Sequence, residues 1–226
     1  MKLKSVIKVL YFLACIFTII FSTIGKIDWM LWSKAFVLPS ALWYYLDATN
    51  YKIDFLQAAV FLSCFSGDIY RLLCPNNYVT GEVLSFLTAY ILLLYYIFPS
   101  FIKINLKYRY NLLLIVLILL SLSTLSYFIL TLKFEKMQIN ILYLILYSVI
   151  LETLFCVAMV EYNRRITLVS VNLLMLIIFF IFSDMFYMIN KFYLSFSVFN
   201  FTQIFTQVFS YYFLVNFFIL NGKQIN

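Results

Sequence analysis

Apolar residues fill stretches of about twenty positions along this chain, and short segments between them carry most of the charges. A stretch of that length predicts a membrane-spanning helix, because about twenty residues at a rise of about 1.5 Å each cross the hydrocarbon core. The pattern therefore predicts an all-α, polytopic membrane protein with a bundle of eight transmembrane helices. The spans are expected near residues 8–25, 29–46, 54–73, 80–99, 111–131, 138–160, 166–189 and 197–220.

Composition supports this class and limits the domain organisation. Apolar residues make up 65% of the 226 positions and charged residues only 11%, which leaves too little polar surface to cover a soluble globule. The segments between the spans are short, so they leave no room for a separate catalytic module. Residues 1–226 are expected to form a single transmembrane domain, with many of the tyrosines and phenylalanines in belts at the membrane interfaces.

The basic residues predict the orientation and make nucleic acid an unnecessary partner. A net charge of +7 is explained by positively charged cytoplasmic loops and anionic lipid headgroups. No obligatory protein partner is indicated, and the expected location is a bacterial inner membrane with both termini in the cytoplasm. The assigned cytoplasmic residues are Lys2, Lys4, Lys8, Lys52, Lys103, Lys107, Arg109, Arg164, Arg165 and Lys223, against Lys26, Arg71, Lys133, Lys136 and Lys191 on the other side.

The available side-chain chemistry is restricted. The chain has no histidine, and its four cysteines lack the spacing of a metal site, so zinc sites and Ser-His or Cys-His nucleophiles are not expected. No metal or cofactor is predicted. Carboxylates, lysine and tyrosine remain as the groups that could transfer protons.

Asp68 and Asp184 are the strongest candidates for a functional site. Each lies inside an apolar stretch, in the similar settings Phe-Ser-Gly-Asp and Phe-Ser-Asp. A carboxylate inside a membrane span costs several kcal/mol unless it faces the bundle interior or a wet cavity. The alternative is an acid at the interface that reaches water.

Helix rise predicts that further polar residues lie at the same depth as these two acids. Lys34, Glu82 and Gln207 fall in the outer halves of their spans, so five helices could contribute to one polar layer. The alternatives are a lysine that snorkels to the headgroups and a glutamate favoured by a helix N-terminus. The two aspartates also lie on the third span of each half, which suggests two parallel four-helix halves.

The order and spacing of several short motifs resemble one known family. The motifs are Lys34 with Pro39, Ser66-Gly67-Asp68, Tyr78 to Tyr96 with Gly81 and Phe86, Ser183-Asp184 with Lys191-Phe192, and Tyr212 to Asn216. The chain resembles the YhhN-like lysoplasmalogenases, a family of eight-helix membrane proteins, nearly from end to end. It looks like a divergent member. Ala35 stands where the family often has proline, Ala89-Tyr90 where a histidine is common, and Asn216 where glutamine is usual.

The resemblance implies hydrolysis of the vinyl ether bond of lysoplasmalogens to a fatty aldehyde and a glycerophospho-headgroup compound. Protonation of the outer vinyl carbon creates an oxocarbenium ion that water captures, and two carboxylates can divide this work. Asp68 and Asp184 are the expected pair, with the acid and the anion unassigned, and Lys34 either binds the lipid phosphate or holds one aspartate ionised. The expected supporting or substrate-binding residues are Lys34, Glu82, Tyr90, Gln207, Tyr212 and Asn216; Tyr90 or Glu82 would replace the family histidine.

Two other functions fit the same residues. Paired intramembrane acids also occur in proton-coupled transporters of small solutes or lipids, although such carriers tend to have broken helices and this chain has only four glycines and three prolines. A catalytically inactive relative is the other alternative, because the family histidine is missing. Proton-linked uptake would favour the carrier, and tolerance to loss of both aspartates would favour the inactive relative.

Overall fold

The computed structural model describes residues 2–74, 78–102 and 141–225, together with a few positions between 116 and 127. Within these ranges it is helical and contains no β-strand, which confirms the predicted class. The helices are α1 (Lys2–Thr23), α2 (Ile27–Ala48), α3 (Phe55–Leu73), α4 (Tyr78–Ile102), α5 (Ile141–Arg164), α6 (Leu168–Met188) and α7 (Ser197–Ile225), with a π-helical segment, Ile189–Tyr193, after α6. Most of the predicted span 111–131 lies outside the described residues, so eight helices and two four-helix halves remain predictions.

Five of the described helices, α1, α4, α5, α6 and α7, are long and apolar enough to cross a membrane. They indicate an integral membrane protein. The helices α2 and α3 fall outside this set, and each carries a charged side chain within its apolar sequence, Lys34 and Asp68 respectively. The residues that build the polar interior are thus also the ones that weaken the hydropathy of these two helices.

Local sequence fixes where two of the site-bearing helices begin. Asp54 caps α3, and its backbone N–H donates to Gln57 Oε1 at 3.1 Å, which completes a capping box. Thr167 and Ser170 form the equivalent reciprocal pair at the start of α6. Such boxes satisfy backbone donors that no helical carbonyl can reach, so they define the first turns of α3 and α6.

The helices pack as neighbouring pairs, α1 with α2, α3 with α4 and α6 with α7, and α7 also contacts α1 and α2. Large aromatic side chains fill the interior, and Tyr11, Phe61, Tyr90, Tyr211 and Phe218 are almost fully buried. The hydroxyl of Tyr11 donates to the backbone carbonyl of Val208, which joins α1 to α7. This arrangement surrounds α7 with other helices and places its polar residues in the interior.

Two glycines set a close approach between α3 and α4. A Cβ atom on Gly67 would lie 2.8 Å from Cε2 of Phe86, and one on Gly81 would lie 2.1 Å from Cε1 of Tyr70. Both distances are too short for a real contact, so the two rings occupy the space that side chains would need. Each glycine directly precedes an acid, Asp68 or Glu82, and the close packing therefore brings both acids into the same region.

Gly81→Ala is expected to lower the free energy of unfolding by about 1–3 kcal/mol, the usual cost of overpacking. Thermal unfolding in detergent would measure the loss. The matched control is Gly222→Ala, because nothing lies within 4 Å of a Cβ at Gly222 in α7. Equal stability of the two variants would contradict the close approach, and recovery in a Gly81→Ala/Tyr70→Ala double variant would support it.

Candidate active site

Asp68 on α3 is buried and fully engaged. Lys34 Nζ lies 3.1 Å from its Oδ1, and the same oxygen accepts the side-chain amide of Gln207 at 2.8 Å. Its Oδ2 accepts the hydroxyl of Tyr211 at 2.7 Å. Asp68 is 2% exposed and Lys34 is 6% exposed, so neither reaches water and the lysine does not snorkel to the headgroups. The ion pair and the two hydrogen bonds compensate the burial of both charges.

Asp184 on α6 has a different environment. Its Oδ2 accepts two tyrosine hydroxyls, from Tyr90 on α4 at 2.6 Å and from Tyr147 on α5 at 2.7 Å. No lysine or arginine among the described residues forms an ion pair with it. Asp184 is thus held in position by neutral donors, and the structure distinguishes two acids that the sequence left equivalent.

Glu82 on α4 is the third buried carboxylate. It is 7% exposed, and its Oε2 accepts the hydroxyl of Tyr187 at 2.8 Å. Because α4 begins at Tyr78, Glu82 lies beyond the first helical turn, where the macrodipole effect fades. Its position is therefore explained by the bundle interior and not by the helix N-terminus.

A small pocket of about 30 Å³, enough for one or two water molecules, lies between α4, α5, α6 and α7. It is lined by Glu82, Val83, Phe86, Tyr147, Ser183, Asp184, Tyr187, Met188, Gln203 and Gln207. Two acids, Glu82 and Asp184, line it, whereas Asp68 does not. Val83, Phe86 and Met188 are its apolar members, and apart from the two acids the other lining side chains carry hydroxyl or amide groups. Among the described residues, no group of three or more His, Cys, Asp or Glu side chains is placed to hold a metal ion.

Gln207 connects Asp68 to this pocket. Its Nε2 must face Asp68, because the oxygen of a carboxylate paired with lysine accepts a hydrogen bond and an amide donates only through nitrogen. That contact fixes the orientation of the amide. Gln207 Oε1 is then a buried acceptor with no donor among the described residues. An unsatisfied buried acceptor in a pocket is a place for a donor from water or substrate.

Most, but not all, of the residues expected from the sequence meet in this region. Six of them line the pocket or bind a residue that lines it or that contacts such a residue: Lys34, Asp68, Glu82, Tyr90, Asp184 and Gln207. Tyr212 and Asn216 lie on another part of α7, where Lys8 Nζ is 5.3 Å from the ring centroid of Tyr212. The amide of Asn216 donates to the carbonyl of Tyr212 at 3.0 Å. These two residues do not contribute to the pocket.

Sequence reasoning missed three tyrosines that hold the carboxylates, Tyr147, Tyr187 and Tyr211. From the sequence, many tyrosines were expected in interfacial belts in general, and these three had no separate role. A helical spacing offered a signal for two of them, because Tyr187 follows Asp184 by three residues and Tyr211 follows Gln207 by four. Tyr147 had no such signal, since only the packing of α5 against α6 brings it to Asp184.

Comparison with known proteins gives one match. The model of the YhhN family matches residues 29–222, which include every residue that lines the pocket and both members of the Lys34–Asp68 ion pair. Neither a curated protein nor a solved structure matches the chain. Because the family match covers most of the chain and the whole of the candidate site, this protein belongs to the YhhN family.

Proposed function

We propose that this protein is a membrane hydrolase of the lysoplasmalogenase type, which cleaves the vinyl ether bond of a lysolipid. Membership of the YhhN family supports this class of reaction. The observation that carries the proposal is the pocket in which Glu82 and Asp184 face one space beside Val83, Phe86 and Met188. Two carboxylates beside an apolar wall suit an acid-catalysed reaction of an ether whose substituent is a fatty chain.

The reaction needs one proton donor and one proton acceptor. A protonated carboxyl group gives its proton to the outer vinyl carbon, and the electrons of the double bond form the new C–H bond and leave an oxocarbenium ion. The second, ionised carboxylate stabilises this cation and takes a proton as water adds to the carbon that bears the ether oxygen. The hemiacetal then loses its hydroxyl proton to the first carboxylate, while the second carboxyl group protonates the departing glycerol oxygen. Aldehyde and alcohol leave, and both carboxyl groups return to their starting states.

Glu82 and Asp184 are the proposed donor and acceptor, since both line the pocket. This changes the pair expected from the sequence. Asp68 lies outside the pocket and is engaged by Lys34, Gln207 and Tyr211, so its proposed role is to position Gln207. Lys34 lies 3.1 Å from Asp68, and its proposed role is to stabilise the ionised form of Asp68, one of the two roles expected from the sequence.

Gln207 Oε1 is proposed to accept a hydrogen bond from the attacking water. Gln207 lines the pocket, its Oε1 is a buried acceptor without a donor among the described residues, and the Nε2 contact with Asp68 fixes the orientation of the amide. A water held there lies in the same pocket as both acids. Preorganised acceptors of this kind lower the entropic cost of bringing water to the cation.

The proposed substrate enters from the bilayer, because a single-chain lipid already dissolved in the membrane needs no aqueous tunnel. The proposed location is a bacterial inner membrane with both termini in the cytoplasm, supported by the distribution of basic residues. The membrane lipid is the only partner that the proposed reaction requires.

Release of fatty aldehyde from a purified sample in detergent tests the proposed function. A lysoplasmalogen is expected to give aldehyde, whereas the saturated ether lysolipid with the same chain and headgroup is expected to give none. The saturated ether lacks the carbon that accepts the proton, so it controls for aldehyde that does not come from the vinyl ether bond. Absence of aldehyde from a folded sample would contradict the proposal, and proton flux coupled to solute uptake in vesicles would favour a carrier.

A further inference from the structure

A second, larger pocket adjoins the one that holds the two acids. It has a volume of about 510 Å³ and shares Tyr187 and Gln203 with the first pocket. Its wall comes from the ends of α1 and α3, the starts of α2 and α7, and the π-helical segment. Arg71 and Lys191 are the two cations among its lining residues.

Arg71 and Lys191 both lie against the same aromatic ring. The Cζ atom of Arg71 is 5.2 Å and the Nζ atom of Lys191 is 4.8 Å from the ring centroid of Tyr78. Lys191 also donates a hydrogen bond to the Tyr78 hydroxyl. Neither cation forms an ion pair with a carboxylate of the described residues. Two cations that line one pocket without a carboxylate partner are expected to attract an anion.

The pocket also contains an unsatisfied acceptor. Asn190 lines it, and the Oδ1 atom of Asn190 is buried and has no hydrogen-bond donor among the described residues. Two positive donors and one free acceptor match a phosphate group joined to a glycerol that carries a free hydroxyl. A ligand with only an apolar chain would leave all three groups without partners.

The two pockets are placed to hold different parts of one lysolipid. Both cations contact the ring of Tyr78, which precedes Glu82 by about one turn on α4, and Lys191 follows Asp184 by about two turns, which corresponds to about 6–10 Å along the helices. A three-carbon glycerol separates the phosphate of a lysolipid from its ether bond by a similar distance. With the phosphate in the second pocket, the ether bond can reach the acids in the first.

We propose that Arg71 and Lys191 form a phosphate-binding site that holds the headgroup phosphate of the lysolipid next to the two acids. The inference rests on the proposed function. It also revises one expectation from the sequence, because Lys34, the lysine considered there for the phosphate, is engaged by Asp68 in the interior. The site selects a phospholipid over a neutral glycerol ether, and the charge-assisted contacts supply that selectivity.

Equilibrium binding of two lipids that cannot be cleaved tests this site without turnover. The probes are a saturated 1-alkyl-lysophosphocholine and the 1-alkylglycerol of the same chain, titrated calorimetrically in a phosphate-free detergent. The wild-type protein is expected to bind the phospholipid at least about tenfold more tightly, since one charge-assisted contact corresponds to about a tenfold change in affinity. The Arg71→Gln/Lys191→Gln variant is expected to lose this preference and to bind both lipids about equally.

The matched control is Arg165→Gln. Arg165 lines a separate basic pocket near the C-terminal end of α7, about 30 Å along the helix from the pocket that contains Arg71, and its loss should leave the preference intact. Displacement of the lipid by millimolar inorganic phosphate would show that the site takes the phosphate group itself. If inorganic phosphate does not displace the lipid and the preference for the phospholipid remains, the site binds phosphate only as part of a lipid. Either result supports the site.

Two results would overturn the proposal. One is equal affinity of the wild-type protein for the two lipids, and the other is a preference that survives in a folded Arg71→Gln/Lys191→Gln variant. The outcome is separable from the proposed reaction. If the protein prefers the phospholipid but releases no aldehyde, the phosphate site stands and the hydrolase proposal is rejected. If it releases aldehyde but binds both lipids equally, the hydrolase proposal stands and the phosphate site is rejected.

Discussion

Asp184→Asn is expected to lower the rate of aldehyde release by about a hundredfold or more, the usual scale for loss of a general acid or base. The substitution preserves shape, and an asparagine carbonyl oxygen can still accept the hydroxyls of Tyr90 and Tyr147, which donate to Asp184 at 2.6 and 2.7 Å. The substitution removes the ability to exchange a proton and the negative charge of the ionised form. Glu82→Gln is expected to cause a loss of the same order, because Glu82 is the other acid of the pocket.

The measurement is turnover of a lysoplasmalogen at saturating substrate, with thermal unfolding of each variant as a check on folding. Asp47→Asn serves as the matched control, because Asp47 lies about 20 Å along α2 from Lys34 and lines none of the pockets described above. Near-normal turnover by folded Asp184→Asn would remove Asp184 from the reaction. A large loss in Asp68→Asn alone would instead restore the aspartate pair expected from the sequence.

Lys34→Met is expected to destabilise the bundle by about 3–5 kcal/mol, the usual cost of removing one partner of a buried ion pair. Methionine preserves most of the apolar stem of lysine, so the change removes the charge with little change in volume. Asp68 would then remain in an interior where it is 2% exposed, without the cation that lies 3.1 Å from it. The hydrogen bonds from Gln207 and Tyr211 cannot replace that charge.

Unfolding by denaturant in mixed micelles would measure this loss. The double variant Lys34→Met/Asp68→Asn removes both charges and is expected to regain most of the stability, because the cost comes from the unpaired carboxylate. Lys52→Met is the control, since Lys52 is an exposed residue between α2 and α3. A Lys34→Met protein as stable as the control would show that Asp68 does not depend on its partner.

The sequence by itself determined the helical class and the approximate ends of the described helices, because long apolar stretches and capping residues act locally. It also identified Asp68, Asp184, Lys34, Glu82 and Gln207 as residues of one region. The physical reason is energetic: a charged or strongly polar group within an apolar span is costly enough to require a partner. The sequence therefore shows that a charged group in an apolar span needs a partner, although it does not show which residue that partner is.

The tertiary structure alone decided how these groups are paired. Lys34 could compensate any of the three buried acids, and only the packing of α2 against α3 and α7 assigns it to Asp68. Helix packing also places Glu82 in the lining of the pocket and Asp68 outside it. It brings Tyr147, from a distant part of the chain, into a hydrogen bond with Asp184. It also places Arg71 and Lys191 around one ring. These contacts join residues that are far apart in sequence. Their geometry depends on how each helix is rotated about its axis and how closely it packs against its neighbours. A span that is apolar on all sides has no hydrophobic periodicity from which this rotation could be predicted.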